Sequence, residues 1–376
     1  MMPPPERFAP ARPMTIGLAL LVTSALSSGQ QSVPAVEVGV EVAVEEALRA
    51  EFERQELVGL AVAIVDGETI TEFHLGFADR AAAVAVGPRT MFRWASISKP
   101  LTAVRAMQLA GAEALDLDAD VRTLVPEFPE KPWPITARQL LGHLGGVVHY
   151  TNGEVVPTRR DYEVEHPFED AVLALHTFDR SPLIAEPGTK YAYTTHGYLL
   201  LGAAVQRAGG APFRDQIREH VAEPLGMTSL RPDYQWEEIP HRAVGYRRVG
   251  GRVVRSSDTD VSWKLAGGGF ISTVGDLARF ARGLCGEELL PRATLDVMWT
   301  RQRTRDGEET SYGLGFGVSS TAEEVRIGHT GSQEKTRTLL QVRPDAGHAV
   351  VVMTNSEYAR PRRIGAAVWR ALDAGR

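Results

Sequence analysis

The chain of 376 residues carries a single cysteine, Cys285. That scarcity excludes an intramolecular disulfide and any thiolate zinc site. Nothing His-rich flanks Cys285 to activate it as a nucleophile, so packing at a helix end is its expected role. A dominant charge is also lacking: 41 Lys and Arg face 47 Asp and Glu, a formal net charge of −6. No basic footprint for nucleic acid follows, and no polyanionic partner. His143 and His149 belong to no H-E-x-x-H pattern, so structural roles are expected for both and no metal site. Gly267-Gly268-Gly269 has no Lys-Ser/Thr after it and so is no phosphate loop. A close backbone approach beside a site is its better reading. Long apolar runs are missing too. Ile16 to Leu26 falls short of the ~20 residues that a membrane-spanning helix needs.

What precedes and follows that run has its own order. Met1 to Pro13 is proline-rich with Arg7 and Arg12, and Ser27-Ser28-Gly29 supplies small residues after the apolar stretch. This reads as a secretory leader over residues 1–29, which predicts export to a periplasmic or extracellular location with no transmembrane span once the leader is removed. Residues 30–41 read as a linker and residues 42–376 as one domain. Helical periodicity runs from Val42 to about Gln55. Gly59 to Val65 and Thr69 to Phe77 read as two strands joined by a turn at Asp66-Gly67. A helix is predicted from Ala95 to about Ala110, with further helices at Thr136–Leu144 and Tyr198–Ala208. Glu324–Gly328, Thr338–Val342 and His348–Thr354 read as three strands, and Arg362–Leu372 as a closing helix. The expected fold is α/β (α+β): an antiparallel sheet built from both termini, flanked by helices, with a helical subdomain inserted at about residues 91–260.

Ser96 and Lys99 stand i and i+3 on the predicted helix and share one face. A serine hydroxyl needs an adjacent proton acceptor, and a desolvated lysine can serve. The first turn of a helix also aims backbone N–H groups at developing negative charge. Pro100 is tolerable there only where the helix has just begun. Downstream, Tyr193-Thr194-Thr195 lies in a loop leading into a helix, with Tyr193 as a possible acid or base and Thr195 as a neutral hydrogen-bonding group. His329-Thr330-Gly331-Ser332 ends a predicted strand, where side chains and a free N–H could face a bound carbonyl. Tyr191 and Tyr198 are expected to pack, and Trp133 between two prolines to form a surface turn.

These elements, in this order, resemble the serine β-lactamase and penicillin-binding-protein superfamily. Phe92-Arg93-Trp94-Ala95, Leu140-Leu141-Gly142-His143, Ala266 to Thr273 and Tyr312-Gly313-Leu314-Gly315 are similar to its phrases as well. Within it, the chain is most similar to the class C-related branch that includes the mitochondrial serine β-lactamase-like proteins and bacterial relatives. The resemblance implies a Ser96 acyl-enzyme, with Lys99 and Tyr193 moving protons as a coupled pair. It implies an oxyanion hole from the N–H groups of Ser96 and Ser332, substrate contacts from His329, Thr330 and Gly331, and no cofactor.

Several positions depart from the family pattern. Thr195 replaces the usual amide, His329 stands where many relatives carry lysine, and Gly145 where a serine is common. Ser332-Gln333-Glu334-Lys335-Thr336-Arg337 puts both signs of charge on the strand expected to line the cleft. These departures favour an esterase or peptidase, acting on a small ester, amide or peptide, over an efficient β-lactamase. The alternative is a catalytically weak or inactive binding or scaffold protein that retains the penicillin-recognising fold.

Overall fold

Along Gly59–Asp66 the side chains alternate between two apolar environments, and that alternation organises the molecule. In this computed structural model, which describes residues 35–321 and 324–375, the segment is strand β1, an interior strand of a seven-stranded sheet. The expected leader lies outside the described residues. Leu60, Val62 and Ile64 pack with Val350, Val352, Ile364 and Val368 on one face, whereas Ala61, Ala63 and Val65 join Leu340, Val351 and Met353 on the other. A strand buried on both faces reads as a near-continuous run of apolar residues, which is what β1 is.

β1 pairs antiparallel with β2 (Thr69–Asp79), which pairs with the short β3 (Val84–Ala85). The turn falls at Gly67-Glu68, where Gly67 adopts φ +57°, so the hairpin closes one residue later than the sequence suggested. On its other edge β1 pairs with β7 (His348–Thr354), which continues to β6 (Thr336–Arg343), β5 (Ile327–Gln333) and β4 (Gly317–Val318). The order β3-β2-β1-β7-β6-β5-β4 joins strands from the two ends of the chain in one sheet, as expected.

Two boundaries differ from the sequence reading. Helix α1 spans Ala35–Arg54, so it begins within the expected linker. β5 starts at Ile327 and runs through His329-Thr330-Gly331, which therefore lie within the strand and not at its end. Its polar second half carries no apolar alternation; backbone pairing with β6 defines it, from Ile327↔Val342 to Gln333↔Thr336.

Helices α1 and α6 (Pro361–Ala374) cover one sheet face, and α5 (Val274–Gly283) covers the other. Beyond α5 lie α2 (Ser98–Gly111) and α3 (His196–Gly209), each buried along most of its length. The region 91–260 also contains two-residue strands, Phe92–Arg93 and Arg231–Pro232, paired with Phe270–Ser272, and a hairpin of Tyr246–Val249 with Arg252–Arg255. One contiguous apolar cluster runs from Val351 and Leu340 in the sheet to Leu140 and Leu200 among the helices. The helical part therefore shares the sheet's core.

Cys285 follows α5, where its Sγ meets the Ala281 carbonyl at 3.5 Å and burial pushes its thiol up to about 12. It is a packing residue. Trp133 is exposed at the surface, as its flanking prolines suggested.

Candidate active site

Ser96 enters the site on a single turn of 3-10 helix, Ala95–Ile97, directly ahead of α2. Pro100 thus falls in the first turn of the α-helix, where its missing N–H costs nothing. Ala95 adopts φ +49°, a conformation that a non-glycine residue holds only when its surroundings enforce it. The enforcement comes from β6: the Thr338 hydroxyl donates to the Trp94 carbonyl at 2.9 Å and the Thr336 hydroxyl to the Arg93 carbonyl at 3.0 Å. On β5, a Cβ added to Gly331 would sit 2.4 Å from the Trp94 carbonyl oxygen and 3.0 Å from the Ala95 Cβ. The glycine lets the strand edge touch the nucleophile turn.

Lys99 is fully buried. Its Nζ lies 3.2 Å from Ser96 Oγ, 3.2 Å from Thr195 Oγ1 and 2.7 Å from the Gly267 carbonyl. Each partner is an uncharged oxygen. Burial, reinforced by the charge of Lys264, holds the amine well below its ordinary value, so the neutral form is favoured. The Gly267 carbonyl can only accept, and it takes one N–H; the lone pair remains available to the Ser96 hydroxyl. Gly267 belongs to α4 (Leu265–Gly268), and a Cβ there would meet Thr195 Cγ2 at 2.6 Å. The glycine run thus makes the close backbone approach expected of it.

Tyr193 stands beside this pair. Its ring centroid is 4.9 Å from Lys99 Nζ, and that of Tyr198 is 5.6 Å away. Burial raises the Tyr193 phenol above its ordinary range, and a hydrogen bond with Ser96 opposes the shift. The loop carrying Tyr193 is held by imidazoles: Thr194 N–H donates to His143 Nδ1 at 3.2 Å and Thr195 N–H to His149 Nδ1 at 3.1 Å. Burial suppresses protonation of both rings, His149 to about 4. His143 is the structural residue expected. His149 holds the loop and also lines the cleft.

His329 pairs with Leu340 across the sheet, and its Nδ1 lies 2.7 Å from the Thr330 carbonyl. That contact requires the proton on Nδ1, which leaves Nε2 as a buried acceptor with no partner among the described residues. Burial pushes its pKa down to about 3, so this position presents a neutral imidazole. Around Ser96 a cleft of about 380 Å³ is lined by Tyr193, Thr195, Gly267, His329, Thr330 and Ser332. The structure thus gathers the sequence-predicted residues: Lys99 behind the cleft, Gly331 packed against the nucleophile turn, and the rest along its walls. The charged run after Ser332 behaves differently from expectation. Of its charged residues Glu334 lines the cleft, beside the neutral Gln333; Lys335 pairs with Asp258, and Arg337 donates to the Gln333 and Thr336 carbonyls.

A beta-lactamase family model matches residues 44–374, nearly all of the described chain. The chain belongs to the beta-lactamase family. Among relatives of this beta-lactamase-family chain, the human mitochondrial serine beta-lactamase-like protein LACTB is 29% identical, the match covering 76% of this chain and 69% of the relative. The putative penicillin-binding protein PbpX of Bacillus subtilis (strain 168) is 27% identical over 69% of this chain and 62% of that protein. The solved structure of EstCE1, a hydrolase with promiscuous acyltransferase activity, superposes with a TM-score of 0.75 over 89% of this chain and 100% of that one. At 20% identity, that likeness establishes the fold.

His149, Tyr150 and Lys264 also line the cleft of this beta-lactamase-family protein, where sequence reasoning did not assign them, as do Gln333 and Glu334 from the segment expected there. For Lys264, the signal was its position immediately before Leu265-Ala266-Gly267-Gly268-Gly269. His149 and Tyr150 carried none, since they reach the cleft from a loop.

Proposed function

We propose that this chain is a serine hydrolase that works through a Ser96 acyl-enzyme, with neutral Lys99 as the base that activates it. The observation that carries this reading is the buried Lys99 amine, 3.2 Å from Ser96 Oγ and surrounded by uncharged oxygens. As Oγ attacks the substrate carbonyl, its proton passes to Nζ. The ammonium formed is met by the faces of Tyr193 and Tyr198, which favour a cation. Tyr193, kept neutral by burial, relays a proton onto the leaving alcohol or amine as the C–O or C–N bond breaks. Water then attacks the ester on Ser96, giving its proton to the same pair while Oγ is reprotonated and the acid leaves. The N–H groups of Ser96 and Ser332 receive the oxyanion, since the close contact of Gly331 with Ala95 sets their two chain segments side by side. Each such donor contributes about 3 kcal/mol to the transition state.

Small esters, amides or peptides are the proposed substrates. The neutral His329 removes a fixed cation from β5, which disfavours ligands that rely on one there. Export is also proposed, on Arg7 and Arg12, the apolar Ile16–Leu26 run and Ser27-Ser28-Gly29. Steady-state hydrolysis of an ester, anilide, dipeptide and β-lactam panel by wild type and Ser96→Ala tests the reading. Ester or amide turnover that Ser96→Ala loses by at least a thousandfold is expected. Equal rates from both proteins would overturn it.

A further inference from the structure

The cleft wall opposite β5 carries a cation that has no ion-pair partner among the described residues. Lys264 ends the 3-10 turn Ser262–Lys264 and leads directly into α4, whose Gly267 carbonyl anchors Lys99. Among the described residues it is the only lysine or arginine lining the cleft around Ser96. Among the described residues no carboxylate comes within ion-pair distance of it, although 25 such pairs form elsewhere. It is half-buried, its Nζ 5.5 Å from the centroid of the Trp263 ring. Burial depresses its ammonium, and the like charge of Arg93 adds to this; Glu334 and Asp260, at longer range, act the other way. A desolvated ammonium of this kind lacks the partner that would compensate its burial.

We infer that Lys264 is a specificity residue that binds an anionic group on the acyl portion of the substrate. The side of the substrate follows from the cleft. Tyr193, His329 and Thr330 are shared with a second cavity of about 470 Å³ that extends away from Lys264 toward Tyr312 and Arg362. If Tyr193 protonates the leaving group, that group lies toward the second cavity, and the acyl chain lies along the wall of Lys264. A carboxylate there forms the ion pair that Lys264 lacks. With His329 neutral, charge recognition passes from β5 to the facing wall. This assignment rests on the proposed Ser96 acyl-enzyme.

The test compares 4-nitrophenyl hexanoate with mono(4-nitrophenyl) adipate, which differ by a terminal carboxylate on acyl chains of equal length. Wild type should favour the adipate in kcat/KM by roughly tenfold or more, the scale of one charge-assisted hydrogen bond. The preference should reside in KM and shrink with added salt. Lys264→Gln should bring the ratio near one and Lys264→Arg should keep most of it. Lys335→Gln, whose charge is paired with Asp258 outside the cleft, should retain the wild-type ratio. No adipate preference in wild type would overturn the assignment, as would a ratio that survives in Lys264→Gln. A preference for the 6-aminohexanoate ester would also overturn it and transfer the role to Glu334. Hexanoate turnover without a charge preference removes only this inference; loss of Ser96-dependent turnover of every ester removes the reading beneath it.

Discussion

Gly331→Ala should separate the positioning of the nucleophile from the stability of the sheet. The added methyl carbon would lie 2.0 Å from Thr338 Oγ1, 2.4 Å from the Trp94 carbonyl oxygen and 3.0 Å from the Ala95 Cβ. Thr338 cannot rotate away without giving up its own 2.9 Å bond to the Trp94 carbonyl. The Trp94 oxygen is backbone and cannot yield without moving the turn that carries Ser96. Overpacking of this kind costs about 1–3 kcal/mol. Relief by separating β5 from the Ala95 turn displaces Ser96 relative to Ser332, and a shift of about 1 Å in such a geometry costs on the order of a hundredfold in rate. Gly67→Ala is the control. Gly67 has φ +57° and open space around the position of a Cβ, so it loses about 1–2 kcal/mol to backbone strain with no contact to the site. Urea melts should place both variants at comparable stability, while kcat for a 4-nitrophenyl ester should collapse only in Gly331→Ala. Similar kcat in both would refute the claim that this glycine sets the nucleophile against the strand edge.

Other consequences follow from groups buried without charge. Lys99→Met should abolish turnover yet raise stability near neutral pH, because the folded chain holds Lys99 neutral whereas the unfolded chain binds a proton there. Through the window between the depressed folded value and about 10.5, the stability of wild type should rise with pH; Lys99→Met should lack that component, as urea melts at several pH values will report. His149 and His196 are depressed to about 4 and His329 to about 3 by burial, so the unfolded chain takes up protons first as pH falls below about 6.5. Each should contribute on the order of 1 kcal/mol of lost stability per pH unit down to its folded value, and stability that stays flat from pH 7 to 5 would contradict their burial as neutral rings.

The main strands of the central sheet were readable because β1 and β7 are near-continuous apolar runs and β2 alternates apolar with polar residues. β5 was misjudged at its polar end because its register is imposed by β6, and no property of Ser332 or Gln333 announces that pairing. Ser96, Lys99 and Tyr193 were found through spacing and resemblance. The partner of Lys99 at Gly267 could not be, since a backbone carbonyl leaves no trace in residue type. Thr195 was expected as a neutral hydrogen-bonding group, and its hydroxyl meets Lys99 at 3.2 Å. Lys264 escaped notice for a different reason: a lone charge in a sequence reads as solvated surface until the fold places it beside a nucleophile.

Catalysis through Ser96 turns on one covalent bond, from Oγ to the acyl carbon of the substrate. Intact-mass measurement of the protein quenched during turnover of a slow ester, followed by peptide mapping, tests it most directly. A single acyl adduct is expected on the peptide containing Ser96, absent from Ser96→Ala and strongly delayed in Lys99→Met. Ester turnover with no adduct at Ser96, or an adduct that persists in Ser96→Ala, would contradict it.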